Sequence, residues 1–226
     1  MVNQWKKIGS EDLDIQKTKN EVLNHKLIEA INTYSKGKKL FDYGCGWGEF
    51  GNLMSERGFK VLGFDDADEM VSKAKERYAP KMFLSKKEFK EQKNKLKKSF
   101  DVVTSNLVLC ILEKKEQEKI LSEIKGLVKS DGIIVISFCH PCFDFFENSA
   151  VSKRIVDKTK KYDDTFLYEK IVHEGNFRFH DFHRPLEYYV NLFNENDLQI
   201  MDIKESMTIN EKVFPDFIIF VLKMKE

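Results

Sequence analysis

The 226-residue chain has no run of about 18 apolar residues, so no segment reads as a membrane-spanning helix. Its first residues lack the apolar stretch of a secretory signal, and a cytoplasmic location is the expectation. An excess of either charge is also missing. Lys and Arg number 38 against 37 Asp and Glu, a formal net charge of +1, so no global field recruits nucleic acid or a lipid surface. Cys45, Cys110, Cys139 and Cys142 fit a reducing compartment better than a disulfide framework. No internal repeat and no linker rich in Pro, Gly or Ser divides the chain. With 42% hydrophobic residues, it can bury a full core as one domain.

The densest local signal is Lys39-Leu40-Phe41-Asp42-Tyr43-Gly44-Cys45-Gly46-Trp47-Gly48. An apolar strand ends on an aspartate and breaks into glycines at every second position, where the backbone can take positive φ and a ligand can approach without meeting a Cβ. A helix over about Glu49 to Arg57 would aim its amino-terminal amides at that ligand, and Gly58 would end it. A second strand, Phe59 to Phe64, leads to Asp65 and Asp66, placed to accept hydrogen bonds from ribose hydroxyls. Strand, turn, helix, strand and acid make one βαβ unit for a nucleotide-like cofactor.

Gly46-x-Gly48-x-x-Gly51 also satisfies the dinucleotide fingerprint. That pattern expects its first glycine directly after the strand, whereas here Asp42 precedes Gly44. A carboxylate repels a pyrophosphate. It attracts a sulfonium and an ammonium, by about 4 kcal/mol at about 4 Å for an effective dielectric near 20, so charge favours S-adenosylmethionine over a nicotinamide dinucleotide.

These residues resemble the class I S-adenosylmethionine-dependent methyltransferases. Asp42-x-Gly44-Cys45-Gly46-x-Gly48 is similar to the family's first motif and Asp65 to its ribose-binding acid. Phe100 to Leu109 is similar to its fourth strand and the loop that follows. Leu127 to Ser137 is similar to a helix end, turn and fifth strand. The resemblance is good over residues 38 to 140. It implies an α/β fold: a doubly wound, mostly parallel seven-stranded sheet with helices on both faces and a carboxy-terminal antiparallel strand pair. The runs Leu198 to Glu205 and Phe217 to Leu222, with no helix between them, suit that pair. It further implies that Asp42, Gly44, Cys45, Gly46, Trp47, Gly48, Asp65, Asp66, Asn106 and Leu107 bind the cofactor. Where the family often carries an acid near the adenine, this chain has Ser85-Lys86-Lys87-Glu88.

The domain is then expected to comprise an amino-terminal cap and helix (1–37), a cofactor core (38–140), a lid insertion (141–184) and a closing helix with its strands (185–226). The lid is long for a connection in a compact domain. Within it, Thr165 to His173 and Asn176 to Phe182 read as a hairpin, with Phe177, Phe179 and Asp181 on one side and Arg178, His180 and Phe182 on the other. His140-Pro141 and His183-Arg184-Pro185 place two histidines near the cofactor mouth, as in a subset of small-molecule methyltransferases. His140 and His183 are candidate bases, and Arg178, His180 and Arg184 candidate acceptor-binding residues. The lid aromatics suggest a partly apolar pocket.

Other readings have less support. The lysine-rich helix from Lys86 to Lys98 is interleaved with Glu and Gln and reads as a solvated face. Asn106-Leu107-Val108-Leu109 lacks the motif of base amino-methylating enzymes, so a nucleic-acid acceptor is disfavoured. Cys139-x-x-Cys142 invites zinc or redox use but has no second ligand pair, and no metal is expected. The expected reaction is methyl transfer to an oxygen or nitrogen of a small molecule. A nicotinamide-dependent oxidoreductase and a non-catalytic cofactor-binding subunit are the competitors.

Overall fold

The computed structural model describes residues 17–174, 177–209 and 213–225. The amino-terminal cap expected before Lys17 lies outside the described residues, as does the 175–176 tip of the expected hairpin.

The chain opens with α1 (Lys17–Tyr34), then alternates β1 (Lys39–Tyr43), α2 (Glu49–Glu56), β2 (Lys60–Phe64), α3 (Asp68–Arg77), β3 (Phe83–Leu84), α4 (Lys86–Leu96), β4 (Phe100–Asn106), α5 (Lys114–Leu127) and β5 (Val128–Cys139). After the lid come α6 (Leu186–Glu195), β9 (Leu198–Glu205) and β10 (Phe217–Met224). The seven-stranded sheet runs β3-β2-β1-β4-β5-β10-β9. Its first five strands are parallel, and β10 is antiparallel to both neighbours. This is the doubly wound sheet with a terminal antiparallel pair that the sequence implied.

Both faces are covered because strand residues alternate between two apolar layers. Leu40, Val102, Val135 and Ile219 pack under α1 and α2 with Val22, Leu27, Ile31 and Met54. Phe41, Val103, Ile134 and Phe220 point the other way, under α4, α5 and α6 with Phe89, Leu121, Ile124 and Tyr189. Each such side chain removed from water contributes about 1.5–3 kcal/mol. Local chemistry agrees with this layering. Ser85 accepts from the Glu88 amide and Glu88 from the Ser85 amide, a capping box that starts α4. The turn expected within Leu127 to Ser137, ahead of the fifth strand, lies inside β5 as a bulge: Phe100 pairs with Val128 and Val102 already with Ile133. At Gly132 a side chain would collide with Val128 and the carbonyls of Phe100 and Asp101.

The lid forms its own antiparallel sheet, β6 (Ser152–Ile155), β7 (Phe166–Val172) and β8 (Arg178–His183), in that order. The β7–β8 hairpin is as expected, and β6 is an addition whose four residues carry too short a pattern to read from sequence. Buried polar contacts seat the sheet on the main domain. Arg154 donates to the Phe143 carbonyl at 2.7 Å and to Asp216 Oδ1 at 3.3 Å. Tyr168 donates to Asp144 Oδ1 at 2.9 Å. Phe177, Phe179 and Val172 pack against Trp47, Ala67 and Met70 beside the glycine turn.

Candidate functional site

A cleft of about 1010 Å³ opens at the carboxyl ends of β1, β2 and β4, at the upper end of the range for small-molecule sites. It lies where the strand order reverses between β1 and β4, the place an open α/β sheet leaves for a ligand. Asp42, Gly44, Cys45, Gly46, Trp47, Asp65, Asp66, Asn106 and Leu107 all line it. Of the expected cofactor residues, Gly48 does not. It sits behind the turn as the residue preceding α2, with φ 81°, packed so closely on Phe83 that a side chain would collide.

The turn is held from below. Gly44 and Cys45 both donate their amides to the Phe64 carbonyl, at 2.7 and 2.9 Å, pinning the turn to the end of β2. Gly44 (φ 82°) and Gly46 (φ 54°) adopt left-handed backbone. A Cβ on Gly44 would strike Val108, whereas one on Gly46 would stand in open space. Leu107, directly after β4, is also left-handed with φ 59°. For a branched residue that conformation costs on the order of 1–3 kcal/mol and is typical of ligand clamps. The Ser137 carbonyl accepts its amide at 2.8 Å, while Asn106 Oδ1 accepts from Ser137 Oγ at 3.0 Å.

Two carboxyls stand at the cleft floor. Asp42 is 2% exposed and accepts from Thr104 Oγ1 at 2.8 Å. Burial pushes its pKa up to about 6, with Asp65 adding repulsion and the Thr104 hydrogen bond opposing. Asp65 accepts from the Gly46 amide at 3.0 Å and the Ala67 amide at 2.9 Å, and burial likewise pushes it up to about 6 against those two amides. Asp66 is exposed at the rim and pairs with Lys86 at 2.6 Å. Cys45 shares the floor, its thiol raised well above the usual range, by burial first and then by the two aspartates. Trp47 Nε1 is buried with no hydrogen-bond partner among the described residues.

Lys19 lines the cleft as well, at the end of the segment expected to cap the cofactor, although it is not among the residues expected to bind it. It projects from the first turn of α1 into the cleft, where burial lowers its pKa while Glu49, Asp42 and Glu174 oppose that shift. No local motif marks it. Its position depends on Glu174 of the lid, which accepts from the Thr18 amide at 3.1 Å and the Thr18 hydroxyl at 2.6 Å.

The lid residues divide differently from the expectation. His140 is buried, with Nε2 2.9 Å from Glu205 Oε1 and Nδ1 accepting from the Cys142 amide at 3.3 Å. His183 is wholly buried, with Nδ1 2.8 Å from Asp144 Oδ2 and Nε2 2.8 Å from the Tyr162 carbonyl. Neither lines the cleft, and all four ring nitrogens are engaged in fixing lid segments. The structure therefore does not bring the two expected bases into the cleft. Arg178 faces solvent and pairs with Glu169 at 3.2 Å. Arg184 is buried between Phe182 and Tyr188 and donates to the Leu112 carbonyl at 2.6 Å. Among the five lid candidates, His180 lines the cleft, on the exposed face of β8 beside Leu167 of β7. None of the lid aromatics lines the main cleft: Phe166 stacks on His183 and Phe177 on Phe179, and this second pair walls a small cavity beside it.

Two further placements concern lysine and cysteine. Lys86, Lys90 and Lys93 of α4 line the outer cleft rather than a purely solvated face, two of them paired, with Asp66 and with Glu123. Cys139 is buried, but Cys142 is exposed, its sulfur 3.5 Å from the Tyr162 hydroxyl, so the Cys139-x-x-Cys142 spacing does not make a joint site.

Comparison with known proteins agrees with this geometry. A family model described as a methyltransferase domain matches residues 34–207. An uncharacterized protein of Haemophilus influenzae is 29% identical over 129 residues, 54% of this chain and 50% of that protein. A Geobacillus protein is 30% identical over 105 residues, 43% of this chain and 41% of its own length. These matches thus span half or less of the curated relatives. Among solved structures, a Pyrococcus horikoshii protein superposes with TM-score 0.65 at 20% identity, over 95% of this chain and 94% of that one. An S-adenosylmethionine-dependent methyltransferase from Clostridium acetobutylicum gives 0.62 at 17% identity, over 94% of each chain. The glycopeptide N-methyltransferase MtfA, solved with S-adenosylmethionine, gives 0.65 at 8% identity, over 89% and 93%.

Proposed function

Because this chain belongs to the class I S-adenosylmethionine-dependent methyltransferase family, we propose that it transfers a methyl group to an oxygen or nitrogen of a small molecule by direct displacement. The observation that carries the cofactor assignment is the pair of desolvated carboxyls, buried Asp42 and half-buried Asp65, on a floor whose backbone is bare at Gly46. A cationic ligand relieves the cost of ionising them, and an anionic pyrophosphate raises it. The residues fit the cofactor. Asp42 would face its positive end and Lys19 its carboxylate, Asp65 would accept from the ribose hydroxyls, and Asn106 and Leu107 would close the far side. The partnerless Trp47 indole N–H is one more donor at the same place.

S-adenosylmethionine, when bound, supplies the methyl group already attached to a leaving sulfur. The protein's share is alignment, exclusion of water and one proton transfer, the first of which is worth several kcal/mol of barrier. The lid sheet excludes water, held down by Arg154, Tyr168 and His183. His180, exposed to the cleft, takes the proton of the acceptor's hydroxyl or amine on its imidazole. Leu167 and Ile111 give the acceptor an apolar contact. A small acceptor is favoured because the lysines at the rim are balanced by Asp66, Glu116 and Glu123 in the same wall, which leaves no basic track for a nucleic acid.

The test is transfer of labelled methyl from S-adenosylmethionine into separated small-molecule, RNA and protein fractions of a cell extract. Label is expected in the small molecules. His180→Ala is expected to lower it about a hundredfold while cofactor affinity stays within about twofold. Label confined to RNA or protein, or none at all despite cofactor binding, would overturn the reading.

A further inference from the structure

Beneath the lid, outside the cleft, two thiols, an ammonium and a carboxylate share a buried space that cofactor binding does not use. Cys110 sits on the short 3-10 turn Leu109–Ile111 after β4, and Cys139 ends the neighbouring β5. Lys170 of β7 and Asp181 of β8 face them from above. Exposure is 3% for Cys110, 7% for Cys139, 4% for Lys170 and 1% for Asp181. Cys139 Sγ lies 2.8 Å from Lys170 Nζ and 3.3 Å from Asp181 Oδ2, and Lys170 Nζ is 3.1 Å from Asp181 Oδ2. Both sulfurs and an Asp181 oxygen lie within 4.8 Å of one another.

Three such donors suggest a metal, but the cation position is filled. Burial works against the Lys170 charge, yet Asp181 and Cys139 together hold the ammonium well above the usual lysine range. What the arrangement offers instead is thiol chemistry. Oxidation of a cysteine proceeds through its thiolate, and the anion that Cys139 forms during attack meets the Lys170 ammonium at contact distance. Cys110, raised well above the usual range by its hydrogen bond with Cys139 and then by burial, keeps its proton for the second step. A cavity of about 50 Å³, larger than the roughly 10–15 Å³ one water needs, shares Lys170 with this cluster and Lys19 and Leu107 with the cleft wall.

We propose that Cys110 and Cys139 are a peroxide-oxidisable pair that closes to an intramolecular disulfide beneath the lid. In the first step Cys139 passes its proton to Asp181 Oδ2, which it already faces at 3.3 Å, its thiolate attacks hydrogen peroxide, the O–O bond breaks, Cys139 sulfenic acid forms, and the departing hydroxide takes that proton back from Asp181 as water. In the second the Cys110 sulfur attacks that sulfenic sulfur, the S–O bond breaks, and the departing hydroxide takes the Cys110 proton as water. Two thiols are oxidised by two electrons and one peroxide is reduced to two waters. The consequence falls on the cleft, because Val108, Ile111 and Leu112, which flank Cys110, form part of its wall. A disulfide ties that turn to the end of β5. The proposal does not depend on which acceptor is methylated, and its readout is covalent.

The test uses the full chain carrying Cys142→Ser, which removes the exposed thiol. It is treated with hydrogen peroxide, digested without reductant and mapped by mass spectrometry. The expected product is the Cys110 peptide joined to the Cys139 peptide with loss of two hydrogens, reversed by dithiothreitol. Lys170→Met is expected to slow its formation about tenfold. Should that variant fail to fold, Cys110→Ser gives the second reading: oxidation then stops at sulfenic acid on Cys139, trapped by dimedone. Both thiols remaining reduced under conditions that oxidise Cys142 in the native chain would overturn the proposal. So would a Cys139–Lys170 link that gains one oxygen and loses two hydrogens.

Discussion

The glycine turn and the lid sheet both carry buried charge, but they use it for opposite ends. At the turn, Asp42 is buried and Asp65 half-buried, neither carboxyl is in an ion pair among the described residues, Lys19 acts on Asp42 only from a distance, and desolvation raises both to about 6. In the lid, buried ionisable groups mostly sit against a partner of the protein's own, Arg154 with Asp216, Lys170 with Asp181 and Asp144 with His183, and Arg184, the exception, is held by the Leu112 carbonyl and two aromatic rings. Charge that is satisfied inside the protein builds architecture. A group that burial strains and no counter-ion relieves is poised for a ligand. This difference separates the candidate site from its surroundings better than residue type does, since histidine is the favoured base by chemistry and is an anchor here at two positions.

The largest expected effect lies on the lid side. His183→Ala removes a buried ring and both its hydrogen bonds, leaving Asp144 with Tyr168 alone. It is expected to cost about 3 kcal/mol, lowering Tm by about 6–12 °C in a protein of this size, with cofactor affinity changed less than twofold. A thermal melt and a titration decide it, and an unchanged Tm with lost turnover would restore His183 as a base.

The next effect sharpens the other side through pH. The two aspartates are raised from an unfolded value near 3.9 to about 6. Their share of stability is therefore present below about pH 4 and lost as pH rises through about 6. A cationic cofactor favours the ionised forms, so its affinity should rise between pH 5 and pH 7.5, by about tenfold for each carboxylate it engages. The cofactor-induced rise in Tm should accordingly be larger at pH 7.5. A flat affinity profile would mean that neither carboxylate meets the cofactor.

The smallest effect is at the seam between the two regions. Glu174→Ala removes the acceptor of the Thr18 amide and hydroxyl and is expected to cost about 0.5–2 kcal/mol. Faster proteolysis at the start of α1, slowed again by cofactor, checks it. Equal cleavage rates with and without cofactor would detach Lys19 from the site.

The same contrast explains what could be read in advance. Asp42, the turn glycines and Asp65 lie within one βαβ unit, so chain connectivity alone brings them together, and their spacing is a local record of the site. The alternation of helix and strand marks a mostly parallel sheet, and its seven strands with a terminal antiparallel pair follow from the family resemblance. Lys19, by contrast, reaches the cleft from the first turn of α1 through a contact with Glu174, 156 positions from Thr18, and no spacing encodes that. The histidines misled because His140 and His183 flank the mouth in sequence, while the strand alternation that points His180 outward points His183 into Asp144. The register of β7 against β8 decides between them, and it rests on tertiary packing.

Calorimetric titration of S-adenosylmethionine into the native chain, Asp65→Ala and His183→Ala tests the central claim most directly. Micromolar binding to the native chain, weakened at least about tenfold in Asp65→Ala and preserved in His183→Ala, is the predicted pattern. Undiminished binding to Asp65→Ala, or its loss in a folded His183→Ala, would contradict the division between ligand-seeking and self-satisfied charge.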